Sequence, residues 1–165
     1  MTGINIADYS PSLLDLCKRL LADLPDMKIL TLSSLDPASD IISLIDLAGK
    51  DARMNRHMHL SVQSGSDEIL LKMGRRHNAG RVREIMQYGK KFGMLFSWDI
   101  ICGFPGECDS EFEKTLQLAW ELRPQKIHAF PFSARPGTVA EKMPNPNSRK
   151  ISKERVRKIM ALNFA

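Results

Sequence analysis

Two segments hold the residue types best suited to chemistry: His59-Leu60-Ser61-Val62-Gln63-Ser64-Gly65-Ser66-Asp67 and Asp99-Ile100-Ile101-Cys102-Gly103-Phe104-Pro105-Gly106-Glu107. Each closes an apolar run with small, polar or turn-forming residues, as a parallel strand does when its carboxyl end opens into a ligand-binding loop. Ser33-Ser34 and Ser133-Ala134-Arg135-Pro136-Gly137-Thr138 follow apolar runs in the same way. Ligands of α/β sheets sit at such strand ends, so the polar groups converge on one rim. The chemistry is that of binding: no strand end presents a carboxylate pair or a lysine with a clear partner, and Asp99 stands without an obvious mate. Taken singly, Gly103 to Glu107 reads equally as a tight turn with Glu107 exposed, and Gln63 as an interior side chain bonded to a neighbouring strand.

With 165 residues and 43% hydrophobic content the chain is long enough for one good core, and one domain is expected. No apolar run approaches the ~18 residues of a membrane span and no signal peptide is visible, so a cytoplasmic location is expected. The 3 cysteines, Cys17, Cys102 and Cys108, are odd in number and widely separated, which predicts reduced thiols, not a disulfide framework. No histidine pair accompanies Cys102 and Cys108 at zinc-site spacing. A net charge of +5 and pI of 9.2 suit an anionic partner. Arg149, Lys150, Lys153, Arg155, Arg157 and Lys158 crowd one segment, which reads either as a solvated helix face or as a contact for that partner.

The elements that must position these residues alternate as β-α-β-α-β-α-β-α-β-α. Gly3 to Ala7 reads as a strand end, and Ser10-Pro11 as the cap and first position of a helix bearing Leu13, Cys17, Leu20, Leu21 and Leu24. Lys28 to Leu32 reads as a second strand and Ile41, Ile42, Ile45 and Ala48 as a helix face. In the strand His57 to Gln63, alternation sends Met58, Leu60 and Val62 one way and His57, His59, Ser61 and Gln63 the other. A helix marked by Val82, Ile85, Met86 and Phe92 ends at Gly93, before the strand Leu95 to Cys102. Ser110 with Glu113 reads as a capping box opening a helix whose Phe112, Leu116 and Ala119 face the core. Lys126 to Phe132 is the fifth strand, and a last helix is expected from Ser152. About five parallel strands with outer helices fall short of the ~250 residues of a closed barrel, so an open, partial TIM-type (β/α) barrel is expected.

The joint order of these loops resembles the radical S-adenosylmethionine (SAM) tRNA methylthiotransferases over nearly the whole chain. Thr2 to Tyr9 resembles the second barrel strand of that family, Leu32 to Pro37 the third, His59 to Asp67 the fourth, Asp99 to Glu107 the fifth, and His128 to Thr138 the sixth. Thr-Gly-Ile-Asn-Ile and Ser-Ser-Leu-Asp-Pro look most like the branch acting on threonylcarbamoyladenosine beside the anticodon (MtaB-like), with the isopentenyladenosine branch (MiaB-like) next.

The resemblance implies transferase chemistry on tRNA, with SAM cleaved by a [4Fe–4S] cluster. By resemblance, Ser61, Gln63 and Ser64 lie against the ribose and methionyl part of SAM, Gly103, Gly106 and Glu107 against its adenine, and Phe132 beside the adenine. Arg75, Arg76 and Arg135 are candidates for the SAM carboxylate or tRNA phosphates, and equally read as generic surface arginines. The family's three-cysteine cluster motif has no match here, so residues 1–165 are expected to be a partial radical SAM barrel without that loop, the amino-terminal domain or the TRAM domain. Such a chain is expected to be inactive alone, or else to serve as an accessory SAM-binding module that closes its barrel with a partner chain or with itself.

Overall fold

The computed structural model describes residues 1–2, 6–145, 147–162 and 164. Its centre is a parallel sheet of 3 strands in the order β1 (His57–Gln63), β2 (Leu95–Cys102) and β3 (Lys126–Pro131). Helices α1 (Leu13–Asp23), α2 (Ile41–Lys50), α3 (Asp67–Lys72), α4 (Ala79–Lys90), α5 (Asp109–Leu122) and α6 (Arg149–Met160) accompany it. This is the expected partial barrel, with fewer laddered strands than the five anticipated.

The expected second strand contributes single bridges instead. Leu30 pairs with Met54 and Leu35 with Leu60, both in parallel sense. The interval is five residues on one side and six on the other, and that one-residue mismatch interrupts the ladder as a bulge does. Gly3, Ile4 and Asn5 of the expected first strand lie outside the described residues; Ile6–Asp8 forms a 3-10 turn. The Met1 ammonium donates to the Thr31 carbonyl at 2.6 Å, beside the bridged segment.

Local sequence explains where the helices begin. Ser12, Asp40, Ser66, Asn78 and Ser148 each accept a hydrogen bond from the backbone N–H three residues on, satisfying a donor that the first turn leaves open. The first cap is therefore Ser12, not Ser10, and α6 starts three residues before the expected Ser152. Cys108, not Ser110, precedes α5, so the anticipated capping box does not form. Helix α3, which hydrophobic periodicity over six residues was too short to reveal, is signalled by Ser66 followed by Asp67 and Glu68 at its positive end.

Alternation along the strands sorts the two faces as expected. Met58, Leu60, Val62, Phe96, Trp98, Ile100 and Cys102 point to the helices and are buried with Val82, Ile85, Leu118 and Ile159. His57, His59, Ser61, Asp99, Ile101 and His128 occupy the opposite face and are half-buried. The barrel interior is thus polar, and its outer wall apolar.

Candidate functional site at the carboxyl ends of the strands

At the end of β1, Gln63 takes a left-handed backbone with φ 68°. A non-glycine residue there is strained, and the pairing of β1 with β2 loses register between Leu60 and Gln63. The kink carries Gln63 into a cleft of about 350 Å³ lined also by Asp99, Ile101, Phe130, Phe132, Ser133 and Arg135. Phe132 packs edge-on against Phe104 at 5.1 Å between ring centres. An amide, a carboxylate, a guanidinium and two aromatic rings thus share one cavity, a mixture able to hold a ligand with both a flat apolar part and a charged part.

The Gly103–Glu107 loop is shaped from behind. Glu107 is 2% exposed, and its Oε2 accepts from the Gly103 N–H at 2.5 Å and from Arg155 Nη1 at 2.9 Å. Arg155 also donates to the Glu107 carbonyl at 2.8 Å, to Asn147 Oδ1 at 3.1 Å and to Asp109 Oδ1 at 2.8 Å. Asn145 donates to the Gly103 carbonyl at 3.1 Å, and Asn147 to the carbonyls of Phe104 (3.1 Å) and Glu107 (3.0 Å). Burial pushes the Glu107 carboxyl above its ordinary range, opposed by the Gly103 N–H and by Arg155.

Three of the residues expected near a ligand are held by contacts within the protein. Glu107 is buried, not exposed, and its carboxylate is bonded within the loop and to Arg155. Gly103, at φ 83°, is required by α6: an added Cβ would stand 2.0 Å from Ser152 Oγ and 2.7 Å from Ser152 Cβ. Gly106, at φ 86°, faces Lys72, whose Nζ would lie 2.8 Å from an added Cβ. Both glycines serve backbone turns and packing within the protein.

The remaining candidates separate. Ser61 donates to the Leu35 carbonyl at 3.2 Å, tying β1 to the bridged segment. Ser64 is fully buried away from the cleft, its hydroxyl 3.3 Å from that of Thr115 on α5 and accepting from the Ser66 N–H at 3.1 Å. Ser66 in turn donates to Glu111, so this network anchors the start of α3. Arg75 is engaged by Asp36 at 3.3 Å, with His77 Nδ1 3.4 Å from the other Asp36 oxygen, so it serves the fold before any ligand. Arg76 is exposed. Arg135 alone of the three arginines lines the cleft.

Asp99 does have a mate. Its Oδ2 lies 2.8 Å from His59 Nε2, whose Nδ1 is 2.7 Å from Ser97 Oγ, and the His128 ring stacks at a tilt 5.3 Å from His59. Strand alternation put His59 on the polar face, but the pairing with Asp99 needed the β1–β2 register.

The cysteines do not fit an iron–sulfur cluster. Cys17 and Cys102 are buried on helix-facing surfaces and Cys108 is exposed at the start of α5. Among the described residues no three His, Cys, Asp or Glu side chains gather as metal ligands, whereas such clusters are held by sets of thiolates. Burial pushes the Cys102 thiol up to about 12, while the Ser110 hydroxyl and backbone N–H groups lower Cys108. Iodoacetamide under native conditions is therefore expected to alkylate Cys108 alone, with Cys17 and Cys102 reacting only after denaturation. Peptide mass spectrometry reads the result, and native labelling of Cys102 would contradict the fold around β2.

Residues 5–119 match the radical SAM superfamily. The chain is 39% identical over 165 residues to a threonylcarbamoyladenosine tRNA methylthiotransferase, MtaB, of Rickettsia prowazekii, covering 95% of this chain and 39% of that protein. It is 33% identical over 144 residues to a tRNA-2-methylthio-N(6)-dimethylallyladenosine synthase of Ehrlichia chaffeensis, covering 86% of this chain and 33% of that protein. In fold it is similar to coproporphyrinogen III oxidase (HemN) of Escherichia coli, a radical SAM enzyme, with a TM-score of 0.71 at 17% identity over 90% of this chain and 36% of that one. The chain belongs to the radical SAM superfamily. It spans 39% and 33% of the lengths of the two sequence relatives.

Proposed function

We propose that this chain is the SAM-binding part of a tRNA methylthiotransferase, residues 1–165 forming a portion of its radical SAM barrel, and that the target is a threonylcarbamoyladenosine beside the anticodon. The observation that carries this reading is the cleft where Gln63, Phe132 and Arg135 meet at the strand ends of a chain so similar to methylthiotransferases. In this reading Phe132 covers the adenine of SAM, Gln63 bonds its ribose, and Arg135 pairs with its carboxylate. Ser61, Gly103, Gly106 and Glu107 act by fixing the loops around it, and Ser64 by anchoring the turn that follows Gln63. The [4Fe–4S] cluster takes its ligands from protein other than these residues, so the chain alone performs no sulfur insertion. Among the described residues no helix is long and apolar enough to cross a membrane.

Disrupting the gene and quantifying digested tRNA by mass spectrometry tests the proposal. The 2-methylthio form of threonylcarbamoyladenosine should vanish while its unthiolated precursor accumulates. Loss of the methylthio-isopentenyladenosine form instead would move the chain to the other branch, and an unchanged nucleoside profile would sink the reading. A second reading, an accessory module that closes its barrel with a partner chain or a second copy, is favoured by β3, which pairs on one side only among the described strands.

A further inference from the structure

Helix α6 leaves the rim carrying Arg149, Lys153 and Arg157 at four-residue spacing, about 6 Å apart along its axis. All three are exposed, and the ion pairs that α6 makes among the described residues are those of Arg155. Lys158 sits beside Asp109 and the helix's acid, Glu154, lies off the stripe. Like charges at this spacing destabilise a helix, a cost that an anionic partner removes.

The stripe also has a direction. Arg149 lines a cleft of about 390 Å³ that shares Phe132 and Ser133 with the rim cleft of about 350 Å³. In the rim cleft Phe130 stands 52% exposed, an apolar ring left open beside Arg135. We propose that the Arg149, Lys153 and Arg157 stripe is a phosphate track for an RNA strand, and that Phe130 receives an unstacked base from that strand at the mouth of the barrel. Stacking on an exposed ring together with cations along the backbone is how unpaired RNA is held. A bilayer presents its charge on a plane, whereas an exposed ring in the cleft adjoining that of Arg149 suits a flexible strand with bases to insert. The inference rests on the tRNA reading above, which it supplies with a docking face.

The test is fluorescence anisotropy of a labelled, unmodified anticodon stem-loop RNA with the 165-residue chain across a potassium chloride series. Each phosphate contact to an unpaired strand contributes about 0.7 to the log–log salt slope, so R149Q/K153Q/R157Q should reduce that slope by about 2. F130A should weaken binding about 10-fold and leave the slope unchanged. The control K28Q/K50Q/K90Q, on exposed lysines away from the rim, should match the parent in binding, and no variant should unfold below the parent because these side chains are exposed, the stripe variant gaining slightly from the relieved charge repulsion. Absence of RNA binding by the parent, an unaltered slope in the stripe variant, or an equal loss in the control would overturn the proposal. So would stripe-dependent capture of phosphatidylserine vesicles without RNA binding. Stripe-dependent RNA binding alongside an unchanged nucleoside profile in the disrupted strain would leave the track standing and remove the proposed reaction.

Discussion

Replacing Arg155 with methionine is expected to lower the unfolding free energy by about 3–5 kcal/mol, because it leaves the buried Glu107 carboxylate without its cation. Both side chains are almost fully enclosed, at 5% and 1% exposure, so solvent cannot substitute for the lost partner. The same substitution frees Asn147 Oδ1 and the Glu107 carbonyl, each of which Arg155 holds. Urea unfolding followed by circular dichroism measures the loss. Adding Glu107→Gln to Arg155→Met should recover part of it, since a neutral amide tolerates burial better than an orphaned charge. A loss below about 1 kcal/mol for the single variant would mean that the clamp does not hold the loop.

Gly103→Ala is expected to cost about 2–4 kcal/mol in the ligand-free protein, combining left-handed backbone strain with overpacking against α6. Gly74 supplies the comparison. It has a similar φ of 71° but no atom within 4 Å of an added Cβ, so Gly74→Ala should show the backbone strain alone, about 1–2 kcal/mol. Ser152→Gly combined with Gly103→Ala should restore the packing part and leave the strain. Equal effects of the two glycine substitutions on thermal unfolding would show that α6 does not press on the loop, and that Gly103 is needed for some other reason.

Much of the fold was legible from short-range pattern. The period-2 alternation of His57 to Gln63 and of Leu95 to Cys102 placed the apolar residues against the helices, and the structure buries them there. Leu13, Cys17 and Leu21 were readable as one helix face for the same reason, since period 3.6 is a local property. The segment Lys28 to Leu32 misled because it has the composition of a strand, whereas its pairing depends on the spacing of Met54 and Leu60 on a neighbour it meets only after folding. Residues 149–158 misled in the opposite way: Arg155 looks like one more surface cation, yet α6 turns it inward.

The candidate site divides along the same line. Strand-end composition places the polar groups on one rim and strand alternation makes the barrel interior polar, while the nearness of Gln63 and Phe132 to one ligand is an expectation from family resemblance. Only the tertiary structure decided which of those groups remain available. Ser64 meets Thr115 across 51 positions and Arg155 meets Glu107 across 48, and these contacts withdraw Ser64 and Glu107 from the cleft. His59 and Asp99 become partners because strand register sets them 2.8 Å apart. Periodicity and capping are short-range and can be read along the chain, while the partner of a buried polar group is chosen by which segments abut, once water is no longer there to satisfy it.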